Sequence, residues 1–306
     1  MTDFNHSAWK NAFTSALAKR DFQKIRSLRV DIFQNTLDIV NEGSYDDANQ
    51  NKVVLPNPEG MINDSRFYDS QNKIVATAVH GETVISVEET DCLVAGRVLL
   101  EQGFSPAVLN MASRQNPGGG VLKGAGAQEE NIFRRSNIFL SLYQFAEYAS
   151  LYGLTRNRRQ YPMNQKTGSC YSPDVTIFRG TEQDGYPLLE TPYQLSIISV
   201  PAINRPQLKT RFEIADYLIE PTKEKMRTIF RLAHRYGHDA IVLGAMGCGA
   251  YCNPPQHVAK LFHQVLEESE FKNRFRHICF AILDDHNAHK SHNPQGNLLP
   301  FQKEFQ

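Results

Sequence analysis

AIVLGAMGCGAYCNPPQHVAKLFHQVL, residues 240–266, joins an apolar run, a glycine-rich loop and an amphipathic stretch without a break. The run Ala240–Ala245 has the length and composition of a buried strand. Beyond the loop, Val258, Leu261, Phe262, Val265 and Leu266 recur at the spacing of one buried helical stripe. Asn253 is placed to cap that helix, Pro254 suits its first position, and Gln256 completes a pattern like a capping box. A strand that passes through glycines into a helix N-terminus presents backbone amides to an anion. The loop has neither the Gly-Lys-Ser/Thr of a phosphate-binding Walker loop nor the GxGxxG of a dinucleotide fold. Nucleotide triphosphatase and dehydrogenase readings therefore lose their main support.

The same alternation extends outward in both directions. Further strand-like runs are Val84–Val87, Pro106–Asn110, Leu195–Val200 and Ile278–Leu283, and helical patterns occupy about Asp91–Gln102, Glu130–Glu147, Thr222–Tyr236 and Pro254–Ser269. Strand and helix in turn predict an α/β domain whose largely parallel sheet is covered on both faces. Ligands in such sheets bind where loops leave the carboxyl ends of the strands. Ahead of this region, Ser7 to about Asn41 reads as helix, with Phe22, Ile25, Leu28 and Ile32 on its buried face. Glu42 to Asn72 is polar and reads as a long loop or tether. The expected organisation is a helical extension over 1–72, packed on an α/β domain over 73–306.

Hydrophobic residues make up 41% of the 306, enough for a sizeable core. Lys plus Arg (33) balances Asp plus Glu (33), which argues against attachment to nucleic acid or membrane by bulk charge. No sequence-specific nucleic-acid binding is expected. The N-terminus lacks the pattern of a secretory signal, and no apolar run approaches the ~20 residues of a membrane span. Five scattered cysteines, an odd number, read as reduced thiols of an intracellular protein. The expected location is cytoplasmic, or nuclear in a eukaryote. Cys248 with Cys252, and His234 with His238, have ligand-like spacing but lack the further ligands of a metal site, so no metal is expected. His286, His289 and His292 lie in a polar segment that reads as a mobile loop.

Two features stand near the middle of the chain. After the strand ending near Leu109 comes NMASRQNPGGG, Asn110 to Gly120, whose Gly118, Gly119 and Gly120 suit a backbone that approaches a ligand closely. A pyrophosphate clasped between this loop and the one at 244–251 would account for both. Gln128, Glu129 and Glu130 then open a helix, where carboxylates also favour the macrodipole. Neighbouring helical positions diverge by about 100°, so the two acids address different partners.

Asn-x-Ala-Ser-x-x-Asn-Pro-Gly-Gly-Gly followed by Ala-Gln-Glu-Glu resembles the signature of bacterial-type poly(ADP-ribose) glycohydrolases of the macrodomain superfamily. The likeness continues through CYSPDVTIFR (Cys170–Arg179), SVPAIN (Ser199–Asn204) and LGAMGCGAYCN (Leu243–Asn253), and spans about Arg26 to the C-terminus. It implies a three-layer αβα macrodomain with a mostly parallel mixed sheet, plus the N-terminal helical extension. It also implies hydrolysis at a ribose anomeric carbon, with Glu130 catalytic and Glu129 assisting at the ribose. Asn110 and Asn116 fall where the family's first loop meets the distal ribose, beside Gly118–Gly120 and Gln128. Gly244, Met246, Gly247, Cys248, Gly249, Ala250 and Tyr251 fall on the family's diphosphate loop. The implied ligands are ADP-ribose, poly(ADP-ribose) and ADP-ribosylated macromolecules, with no cofactor. Lys123 and Met246 depart from the pattern and bear on substrate preference. Phe280, near the end of the last strand, is the candidate to stack on adenine by fold analogy alone. A macrodomain that reads ADP-ribose without cleaving it is the alternative, and the intact Gln128-Glu129-Glu130 speaks against it. An enzyme acting on a free ADP-ribose derivative would keep the same loops.

Overall fold

A computed structural model describes residues 4–69 and 81–306. The expected boundary between Asn72 and Lys73, and the start of the alternating region near Ile74, lie outside them. Helix α1 (His6–Ala18) is capped by Asn5, and α2 (Phe22–Glu42) by Asp21, whose carboxylate accepts from the Lys24 amide at 3.0 Å. The predicted single helical stretch is thus two helices, broken where Arg20 takes a left-handed φ of 54°. Phe22, expected on the buried face, is 66% exposed at the first position of α2; Ile25, Leu28 and Ile32 are buried as expected.

The stretch expected as a tether is ordered into short elements: β1 (Ser44–Asp46), β2 (Lys52–Val54), α3 (Glu59–Asp64) and β3 (Arg66–Tyr68). Next come β4 (Val84–Glu88), α4 (Cys92–Glu101), β5 (Pro106–Met111), α5 (Gln128–Arg135), α6 (Ile138–Tyr143), β6 (Ser169–Arg179) and β7 (Leu188–Val200). The chain closes with the small hairpin β8 (Leu208–Thr210) and β9 (Glu213–Ile214), α7 (Asp216–Arg235), β10 (Ala240–Leu243), α8 (Pro255–Leu266), β11 (His277–Ala281) and α9 (Leu298–Phe305). Among the described residues no helix is long and apolar enough to cross a membrane.

The helix predicted over Glu130–Glu147 is interrupted. Ser136 is extended and bridges Ile177, while the Asn137 side chain accepts from the Thr176 amide at 2.9 Å. Pairing with β6 takes the backbone groups that would have continued the helix.

Seven strands form one sheet in the order β3-β6-β7-β5-β10-β11-β4. β7, β5, β10, β11 and β4 are parallel, and β3 is antiparallel to β6. The chain divides into two compact units. One comprises Met1–Ser65, Gln115–Tyr161 and Ser172–Leu195, the other Arg66–Arg114, Pro162–Tyr171 and Ser196–Gln306.

In the second unit the strands alternate as a two-sided sheet requires. Ala107, Leu109, Ile241, Leu243, Ile278 and Phe280 join the core cluster that α7, α8 and α9 complete through Phe230, Phe262 and Phe301. Val108, Val242 and Cys279, the alternate positions, are buried outside that cluster, and α4 lies against β5, β10 and β11. This gives three layers, αβα. Phe280 is fully buried among Phe262, Phe301 and Phe305, so it belongs to the core and is not offered to an adenine ring.

The first unit has its own apolar centre. Trp9 stacks on Phe13, meets Tyr186 edge-on and donates its indole N–H to the Leu28 carbonyl at 2.9 Å. Phe33 of α2 packs on Phe133 and Phe139 of α5 and α6, and the Thr36 hydroxyl donates to the Arg134 carbonyl at 2.6 Å. The helical extension therefore holds the helix that carries the acid pair.

Candidate active site

Gln128, Glu129 and Glu130 are the first three residues of α5, preceded by Ala127. Glu130 sits at the third helical position, and its Oε2 reaches back to accept the Ala127 amide at 3.0 Å. That is one half of a capping box. Its Oε1 accepts the Gly120 amide at 2.8 Å. Glu129 turns to a different donor, the Gly118 amide, at 3.0 Å. Both acids are buried, at 4% and 7% exposure, a state that charged groups reach only with hydrogen-bond partners. The two carboxylates are thus fixed by backbone amides.

The glycine triplet has a different role from the one expected. Gly119 donates to the Asn116 carbonyl at 3.0 Å, and Gly118 and Gly120 donate to the acids. All three amides are engaged inside the protein, and none is left to aim at a phosphate. The glycines are needed for room. A Cβ at Gly119 would lie 2.5 Å from Glu130 Oε1 and 3.0 Å from Glu129 Oε2, at a φ of +55°. A Cβ at Gly118, φ +78°, would lie 2.6 Å from the Phe133 ring. Gly119→Ala is accordingly expected to cost turnover about 10²-fold, the scale of a misplaced catalytic group. Chain-release rates measured beside a melting curve check this, and a folded variant at the wild-type rate would show that the carboxylates need no such clearance.

Asn116 is exposed and Gln128 half-buried. Lys123 is exposed, and the carbonyl of Gly120 closes its turn by accepting from Lys123 and Ala125. Tyr143 and Tyr148 lie near Glu129. Burial, then neighbouring Tyr152 and the Glu129 charge, push their hydroxyls well above the ordinary tyrosine range, so they stay protonated.

In the second unit, Asn110, the last residue but one of β5, is fully buried. Its Nδ2 donates to the Ser199 hydroxyl at 3.0 Å, while its Oδ1 has no partner among the described residues. A buried acceptor without a partner is costly, and this one stands near the carboxyl end of a central strand.

The loop after β10 divides its labour between side chains and backbone. Met246 and Cys248 turn their side chains into the core, leaving only backbone for a ligand. Burial pushes the Cys248 thiol well above its ordinary value, which excludes it as a thiolate nucleophile. Gly247 has φ +75°. Cys248 donates to the Ala245 carbonyl and Asn253 to that of Gly247, but the amides of Gly247, Gly249 and Ala250 find no acceptor among the described residues. Gly244 lies against Met111 and the Ala281 carbonyl, and the Tyr251 carbonyl accepts from the Arg205 amide.

Asn253 is not the cap of α8. The helix starts at Pro255 with Pro254 as cap residue, and no side chain caps it. The Asn253 amide instead donates to the carbonyls of Ile203, Gly247 and Tyr251, which fixes the loop. Nor is the histidine-bearing segment after β11 a loose loop throughout. His292 is buried and donates to the Cys248 carbonyl at 2.7 Å, and Asn293 ties Cys248, Asn287 and Asn297 together. His238 is buried between the Tyr171 hydroxyl and the Ser105 carbonyl. Among the described residues no three His, Cys, Asp or Glu come together as a metal site would require.

Comparison with known proteins bears on both units. A family model described as microbial-type PARG, catalytic domain, matches residues 33–180. The poly(ADP-ribose) glycohydrolase of Deinococcus radiodurans, solved in complex with ADP-ribose, is 32% identical, with a TM-score of 0.64 over 82% of this chain and 98% of that one. The chain belongs to the microbial-type poly(ADP-ribose) glycohydrolase family. The glycohydrolase from Thermomonospora curvata is similar over 90% of this chain and 99% of its own, at 28% identity and a TM-score of 0.73. The same enzyme bound to the inhibitor ADP-HPD gives 28% identity and a TM-score of 0.71. Comparison with curated proteins gives no match. Membership places this chain among glycohydrolases, and the mostly parallel mixed sheet agrees with the macrodomain-like fold of the family.

A polar cluster beside α5 was not legible in the sequence. Arg29, Arg134, Glu182 and Tyr186 are far apart in sequence and carry no motif, and only their hydrogen bonds to one another, three of the four being buried and Glu182 half-buried, reveal them.

Proposed function

We propose that this glycohydrolase cleaves the ribose glycosidic bonds of poly(ADP-ribose) or of ADP-ribosylated targets and releases ADP-ribose, with Glu130 as its general acid and base. The observation that carries the reading is the backbone clamp: Gly120 and Ala127 hold the Glu130 carboxylate while Gly118 holds Glu129 beside it. Protonated Glu130 donates to the departing ribose oxygen as the anomeric C–O bond breaks. The resulting carboxylate then takes a proton from water, whose oxygen bonds to the anomeric carbon. Glu130 ends protonated, as it began. The oxocarbenium-like charge formed between these steps is offset by the substrate's own diphosphate.

Glu129 is assigned a ribose hydroxyl, with Asn110, Asn116 and Gln128 assisting. The unpaired Asn110 Oδ1 suits a hydroxyl donor. The amides of Gly247, Gly249 and Ala250 suit a diphosphate, since free N–H groups that end a parallel strand favour an anion. Gly244 and Tyr251 shape the same loop, and Met246 and Cys248 contribute through their backbone.

Release of ADP-ribose from automodified, poly(ADP-ribosyl)ated protein tests the activity. Binding of ADP-ribose with no release from chains or modified targets would make the protein a reader and not a hydrolase. Activity is expected to be indifferent to chelation: excess EDTA followed by buffer exchange should leave the rate unchanged. A collapse that zinc or magnesium restores would put the reaction in a different class.

A further inference from the structure

We propose that Arg29, carried by α2 of the helical extension, is a positioning residue for the glycosidic cleavage: it presses on the Gly126 backbone and so aims the Ala127 amide at Glu130. The proposal rests on the reading of Glu130 as the catalytic acid. Arg26 and Arg29 precede the residues that the family model matches.

The geometry is that of a clamp on the short segment Gly124–Ala127, which ends in the amide that Glu130 accepts. Arg29 is 9% exposed, and its guanidinium makes a two-pronged pair with Glu182, Nε to Oε1 at 2.8 Å and Nη2 to Oε2 at 2.7 Å. Such a fork fixes the plane of the guanidinium, which a lysine would not. Burial opposes the Arg29 charge, but Glu182 and, more weakly, Glu130 favour it, and the net effect raises it. The fixed plane lies against Gly126, where a Cβ would run into the Arg29 guanidinium and nothing else within its three nearest contacts. At Gly124, φ +70°, a Cβ would run into the Arg26 backbone. Arg134 donates Nη1 to the Ala125 carbonyl at 2.9 Å and Nε to the Tyr186 hydroxyl at 2.9 Å. The Tyr186 hydroxyl contacts Glu182 Oε1 at 2.8 Å, which closes the ring. Gly124, Ala125 and Gly126 are thereby each held by a group other than the acids, and Ala127 follows them.

The test is a double-mutant cycle between Arg29 and Gly126. Arg29→Met with Glu182→Gln removes the ion pair without leaving a buried charge alone. Gly126→Ala keeps both partners but pushes the guanidinium away, and its φ is compatible with alanine. Each is expected to lower kcat about 10²-fold while the calorimetric Kd for ADP-ribose stays within about twofold, since Arg29 bonds to Glu182 and touches Gly126, neither of which is assigned to ADP-ribose. Combined, they are expected to cost no more than either alone, because the methyl then enters vacated space. A role in stability alone would leave kcat intact in the folded variants or make the losses multiply, and either result overturns the proposal. If the Arg29 variant does not fold, Gly126→Ala still decides, since a wild-type kcat there refutes the clamp. Glu130→Gln runs alongside. An inactive Glu130→Gln with a fully active Gly126→Ala overturns the clamp alone, whereas an active Glu130→Gln overturns the catalytic reading and the clamp with it.

Discussion

Glu130→Gln is expected to lower turnover about 10²–10⁴-fold, the usual contribution of one general acid–base group, while ADP-ribose continues to bind. The amide keeps the shape of the side chain but has no proton to deliver to a leaving oxygen and cannot take one from water. The structure adds a second consequence. Both carboxylate oxygens accept backbone amides, from Gly120 and Ala127. A glutamine offers one oxygen and one NH2, so one of these amides must face a donor. Loss of that bond costs about 1–3 kcal/mol of stability, and a lowered but still cooperative melting transition is expected with the lost activity. Calorimetric binding with chain release at the wild-type rate would remove Glu130 from the mechanism. Glu129→Gln should do less if that residue binds a hydroxyl, and an equal or larger loss would exchange the two roles.

Gly247→Val is expected to weaken ADP-ribose binding about 10²-fold, the effect of roughly 3 kcal/mol. Gly247 has φ +75°, and a Cβ there would lie 2.6 Å from Asn253 Nδ2 and 2.7 Å from Ala202 Cβ. Left-handed strain and overpacking each cost about 1–3 kcal/mol, and relief by moving Asn253 would break its bonds to Ile203, Gly247 and Tyr251. Gly249 lacks a left-handed φ, and a Cβ there would meet Asn287 at an ordinary 3.4 Å. Gly249→Val therefore adds a side chain without left-handed strain, so the two variants separate strain in the loop from obstruction of the ligand. Tight ADP-ribose binding by a folded Gly247→Val protein would remove this loop from the binding site.

The strands of the parallel region were legible because burial on both faces writes them as continuous apolar runs, as at Ile241–Leu243 and Ile278–Ala281. The three-residue strand Arg66–Tyr68 was not, since nothing in a polar tract distinguishes three residues that owe their form to pairing with Ser169–Tyr171. The same holds at Ser136, where helical periodicity runs on in the sequence but a bridge to Ile177 wins. Phe22 satisfied the periodic pattern of α2, yet it opens the helix and stays exposed. In the candidate site, the motif named the acids and the glycines but carried no sign that the Gly118 and Gly120 amides end on the acids. Motif spacing records which residues approach one another, not which donor ends at which acceptor. The supports of the second loop, His292 and Asn293, looked like loop residues because polar side chains that bond backbone have the composition of solvated ones.

The carboxylate clamp also sets which mutations the chemistry tolerates. Its donors are peptide amides, and every amino acid but proline supplies one. Drift among side chains at Ala127 can therefore proceed without deleting a donor, whereas proline there would remove the amide that Glu130 accepts. A screen of random substitutions should then find damaging changes at Gly118, Gly119 and Gly126, residues with no functional group at all, and at Ala127 find proline far worse than other replacements.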